Sequence, residues 1–201
     1  SEDVNVAAGD ALKKLVEIRK EAARTIGMRK TARLVALSKA KREQAVQQER
    51  EGRFDDARKV LEEANELLNA EMSAAIALSG EGKMEEYGGD IDAVIVEMNI
   101  VLDQMGIVLG KMDKLDGDWY ISRARGSILL ARFYADRPDG GIRKAKDYMI
   151  EVFKHLKEAQ RRDPKNSRLK ISYDVARYEE SRLEIRETVG TDYGRKISER
   201  D

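Results

Sequence analysis

EREGRFDDARKVLEEA (49–64) sets Gly52, Phe54, Ala57, Leu61 and Ala64 into an otherwise charged run. Glycine ends a helix at little cost, because it adopts the left-handed backbone that other residues avoid. Asp55 and Asp56 then suit the positive end of a new helix dipole. Ala57, Leu61 and Ala64 follow at intervals of four and three, so they share one helix face. The stretch reads as the turn and second arm of a helical hairpin. Its alanines stand where two helices approach, and Leu61 fills the space between them. An all-α fold follows.

The rest of the chain agrees. Of 201 residues, 38% are charged and 41% apolar, two are proline, and the formal net charge is zero. Long uninterrupted helices with solvated outer faces suit that composition. A chain of this length forms one domain (1–201) or a short array of repeats, and buries roughly 70% of its unfolded surface. Seven helices are expected, over about 10–26, 28–51, 54–79, 91–115, 119–135, 142–162 and 167–189. Asp10 is the cap of the first, and Gly27 breaks or bends the chain before the second. The second carries a modest stripe of Ala32, Val35, Ala36, Ala40 and Val46, and the third a fuller one that includes Ala57, Val60, Leu61, Ala64, Leu67, Leu68, Ala75 and Leu78. The fourth is the most apolar, with Ile91, Val94, Met98, Val101, Met105, Val108, Met112 and Leu115 on one broad face and Val96, Ile100 and Ile107 on the far side. Two apolar sides make it a central helix with neighbours both ways, or a contact between copies. The segment SGEGKMEEYGGD (79–90) holds four glycines and is the strongest loop, where subdomains 10–79 and 91–189 would divide. Turns are expected at 115–118, with Asp118 as a cap, and at 137–141. Asp163-Pro164 stops the sixth helix, and Asn166 or Ser167 caps the seventh. Gly190 ends the seventh and leaves 190–201 as a polar tail.

The opening stretch resembles the tetratricopeptide repeat: Gly52, then Ala57, Leu61 and Ala64. Segment 157–173, KEAQRRDPKNSRLKISY, is similar to the end of such a repeat, with Ala159 followed by Pro164 and DPKN leading into a new helix. That resemblance implies antiparallel helical hairpins stacked side by side, whose concave face binds a peptide or a partner helix. The two fragments match Ala64 with Ala159, an offset of 95 residues, whereas the repeat recurs about every 34. Asn69 stands where the first fragment would carry its proline. The arrangement is therefore tetratricopeptide-like, as an α-solenoid or an irregular helical bundle, rather than a regular array.

Signals for chemistry are sparse. There is no cysteine and a single histidine, His155, which the periodicity turns to solvent beside Glu151. A second imidazole for a zinc or di-iron site is lacking. Asp113, Asp116 and Asp118 lack the spacing of a calcium loop and read as turn and cap residues. No nucleotide-binding or nucleophile-elbow motif occurs. A non-enzymatic protein without cofactors is the expectation.

Charge is unevenly spread. Residues 1–10 carry three acids and no base; 11–50 carry 12 Lys/Arg against 4 Asp/Glu; 51–118 carry 6 against 17; and 119–201 carry 20 against 14. Opposed blocks orient neighbouring helices or steer a charged partner. The basic block includes Lys13, Lys14, Arg19, Lys20, Arg29, Lys30 and Arg33, ranged around the helix axis. Nucleic acid or an anionic membrane surface could use it, although it lacks interleaved aromatics and its apolar face is alanine-rich. No apolar run approaches the roughly 20 residues of a membrane span. The first residues have no basic start with an apolar core, so no intact signal peptide is read, and the missing initiator Met points to a processed chain or a piece of a longer one. Cytoplasm is the default compartment. Aromatics gather in the last 85 residues, where Arg123, Arg132, Arg177 and Tyr178 are the candidate partner-binding residues. A protein or peptide is the expected partner, with contact between copies through 91–115.

Overall fold

The computed structural model describes residues 2–137 and 141–198, with side chains as far as residue 190. These residues form six α-helices and one 3-10 turn: α1 (Glu2–Arg50), α2 (Phe54–Gly80), the turn Met84–Glu86, α3 (Ile91–Lys111), α4 (Gly117–Ala135), α5 (Ile142–Arg162) and α6 (Leu169–Ser198). The chain divides into two compact units, Ser1–Asp113 and Lys114–Asp201. Most of the turn at 137–141 and the end of the tail lie outside the described residues.

In the first unit, α1, α2 and α3 pack against one another. Gly52 (φ 75°) closes α1: the Arg53 N–H donates to Gln48 O at 2.8 Å and the Gly52 N–H to Glu49 O at 3.0 Å. This six-to-one and five-to-two pair satisfies helix-end carbonyls. Gly82 (φ 69°) repeats the device after α2, with Lys83 donating to Leu78 O at 2.8 Å and Gly82 to Ser79 O at 3.1 Å. A helical hairpin thus turns at Gly52, and Ala57, Leu61 and Ala64 lie in its core.

Several expectations are corrected. The first two expected helices are one continuous helix, starting at Glu2 rather than Asp10, and Gly27 lies inside it. The reason is packing: a side chain at Gly27 would meet Gly88 backbone at 2.6 Å, so its absence lets the following loop cross the helix. The buried residues of α1 are Thr31, Ser38, Ala45 and Gln48, not the Ala32–Val46 stripe. Small polar residues win that face because they serve the neighbour. Ser38 donates to Glu97 Oε1 at 2.9 Å, and the Asp90 N–H donates to Thr31 Oγ1 at 3.1 Å. The 79–90 loop does not separate the units. Tyr87 donates to Glu71 Oε1 at 2.7 Å and Lys30 pairs with Glu71 at 3.2 Å, so the loop is pinned between α1 and α2. Burial, and then the Glu71 acceptor, push the Tyr87 phenol well above its usual range.

Helix α3 ends at Lys111, with Asp113 in a left-handed conformation (φ 55°). Its broad face is buried against α1 and α2, while the far-side residues Val96, Ile100 and Ile107 are exposed. Three helices provide cover for one side only. By length and composition α3 could cross a membrane, contrary to the expectation that no run approaches a span, yet Val94, Val101 and Val108 are fully buried against protein.

The second unit packs α4 most extensively on α5, with α6 against both. Asp116, not Asp118, caps α4 by accepting the Trp119 N–H at 2.9 Å. Ala145, Met149, Val152, Leu156 and Ala159 bury one face of α5 against Ile121, Ala124, Ile128 and Ala131 of α4. Helix α6 contributes Leu169, Ala176 and Leu183 and continues past Gly190 to Ser198.

Candidate partner-binding groove

Helix α6 covers only part of α5. Between them lies a groove of about 560 Å³ lined by Met149, Ile150, Phe153 and Leu183. Met149 and Leu183 are buried and form its floor, whereas Ile150 is 66% exposed. Lys146, Lys154 and Lys157 from α5 and Glu180 and Glu184 from α6 complete the lining. An apolar floor with basic residues on one helix and acidic residues on the other can recognise an amphipathic helix in one orientation. Lys146 also forms an ion pair with Glu187, which ties α5 to α6.

The four candidate binding residues do not gather at one place. Arg177 lies over the Tyr173 ring at 5.4 Å, and Tyr173 is 6.5 Å from the Phe153 ring that lines the groove. That chain of contacts puts Arg177 next to the groove. Arg132 instead holds the buried Glu179 carboxylate, with its Nε at 2.7 Å, and joins α4 to α6. Arg123 stacks near Trp119 at 6.0 Å. Tyr178 is exposed on another face of α6, on a stripe with Ile171, Val175, Ile185 and Val189. The groove residues Ile150 and Phe153 were missed because enrichment of Tyr and Arg drew attention to those types. The available signal was Ile150, an isoleucine one position beyond the core residue Met149.

In α1, Lys13, Lys14, Arg19, Lys20, Arg29, Lys30 and Arg33 are all exposed, and helical geometry distributes them around the axis. His155 corrects the expectation of a solvent-facing imidazole. Its side chain is 15% exposed, lying 6.2 Å from the Tyr120 ring and 4.0 Å from Glu151. Tyr120 at the start of α4 supplies the cover. Asp118 meets Asn166 Nδ2 at 2.9 Å and Arg168 at 3.4 Å, as part of the corner joining α4 to the start of α6. Among the described residues, no group of three or more acids and histidines is placed to hold a metal ion. No family model, curated protein or solved structure matches the chain.

Proposed function

We propose that this protein is a non-enzymatic interaction scaffold whose second unit receives an amphipathic helix in the α5–α6 groove. The carrying observation is the apolar lining of Met149, Ile150, Phe153 and Leu183 between lysines and glutamates. In this reading α4 and α5 form one tetratricopeptide-like hairpin and α6 begins the next. The partner helix presents apolar residues at i, i+3, i+4 and i+7, with acids toward Lys154 and Lys157 and bases toward Glu180 and Glu184.

The test is selection of helical peptides from a display library on the full chain, repeated with Ile150→Asp. Peptides of the stated pattern should emerge, persist in about 1 M salt, where screening acts within about 3 Å, and lose at least tenfold in affinity on Ile150→Asp. Acidic sequences without helical periodicity, released by salt and indifferent to Ile150, would instead assign binding to the basic residues of α1.

A further inference from the structure

The first 25 described residues of α1 are helical and exposed, with the loop at Gly88 coming close to their backbone at Ala23 and Arg24. Every side chain from 2 to 26 is exposed, over a length of about 37 Å. Helices in water derive most of their stability from packing an amphipathic face. This arm has such a face: Val4, Ala8, Ala11, Leu15, Ile18 and Ala22 recur at intervals of four and three. Its centre lies about 160° around the axis from the face that Thr31, Ser38 and Ala45 bury farther along the same helix. The apolar stripe is therefore not a continuation of the intramolecular seam, and it requires a separate occupant.

We infer that the occupant is the same arm of a second copy, paired antiparallel. Charge selects this arrangement. Residues 2–10 carry Glu2, Asp3 and Asp10 with no base, and 11–26 carry Lys13, Lys14, Arg19, Lys20 and Arg24 against Glu17 and Glu21. Head-to-tail pairing lays the acidic end of each arm on the basic stretch of the other, whereas parallel pairing sets like on like. Within the arm, the ion pair of Arg24 with Glu21 is loose and exposed, at 3.6 Å. Shape selects the register. Val4 falls opposite the second copy's Ala22, Ala8 opposite its Ile18, and Ala11 opposite its Leu15, so each layer joins a large residue to a small one. Glu2 and Asp3 then lie beside its Arg24. This is an isologous contact, closed at two copies.

The chain has no cysteine, so single cysteines report the pairing directly. Full-length Ala8→Cys and Ile18→Cys chains are oxidised alone and as a mixture. The mixture should give a covalent dimer and Ala8→Cys alone should not, because its cysteines would be about 15 Å apart and a disulfide spans about 7 Å between Cα atoms. Sedimentation of the cysteine-free chain should show a dimer that Leu15→Asp converts to monomer with unchanged helical circular dichroism.

 Self-linking of Ala8→Cys alone, a monomer at every concentration, or a mass that Leu15→Asp leaves unchanged would each count against the antiparallel pair.

Discussion

At the residue scale, each unit is held together from inside by a buried glutamate. Glu97 of α3 is 2% exposed and meets Arg42 Nε at 2.6 Å and Ser38 Oγ at 2.9 Å. Glu179 plays the same part in the second unit, between Arg132 and Arg182. Removing one partner leaves a buried charge without compensation, which costs about 3 kcal/mol or more. Arg42→Ala should therefore destabilise the first unit by about that much in urea denaturation. Adding Glu97→Met should recover most of the loss, since the orphaned charge is then gone. Glu158 makes a different case on the surface. Hydrogen bonds from Arg161 and then Arg162 lower its carboxyl to about 2 from an ordinary 4.5. A depressed carboxyl contributes stability that is present above pH 4.5 and lost as pH falls toward 2. Carboxyl NMR titration should place Glu158 near the lower value, and Arg161→Ala should raise it.

At the scale of elements, the sequence was readable where a helix carries its own boundary signals. Helix α5 has a regular stripe from Ala145 to Ala159 and an Asp163-Pro164 stop, and its limits, Ile142–Arg162, are those expected. Helix α1 hid its continuity because glycine has two opposite uses. Gly27 looks like a breaker, but what it provides is room for Gly88 and Gly89. Its packed face was hidden for a related reason: Thr31 and Ser38 do not look like core until their partners on the α3 side, Asp90 and Glu97, are in place. The groove was equally illegible, because it depends on how far α6 covers α5, which no local pattern records. Glycine in an exposed helix interior costs about 1 kcal/mol relative to alanine. Gly126→Ala, with nothing within 4 Å of the new Cβ, should accordingly stabilise the second unit. Gly27→Ala should have the opposite sign, losing about 1–3 kcal/mol to overpacking despite its better propensity. Thermal melts of the two variants, shifted in opposite directions, would establish that Gly27 is a contact and not a hinge.

At the scale of the whole molecule, α3 decides what kind of protein this is. One side of it is core, and the other leaves Val96, Ile100 and Ile107 exposed. A lipid-facing helix would suffer from a lysine near its middle by about 3 kcal/mol, and a contact between copies through this face would be broken by one. A core helix with a bare flank tolerates it, because surface changes of this sort stay within about 0.5 kcal/mol. The double variant Ile100→Lys, Ile107→Lys should thus keep its urea midpoint and its sedimenting mass. Val101→Ala, on the fully buried side, should lose about 2 kcal/mol through the cavity it leaves. Paired with Leu15→Asp on the arm, the lysine variant also separates two routes to association, since either α3 or the arm can carry it. If the lysines dissociate the protein while Leu15→Asp does not, copies meet through α3. The charge reversal along residues 2–26, which α3 lacks, favours the arm, so the mass should respond to Leu15→Asp alone.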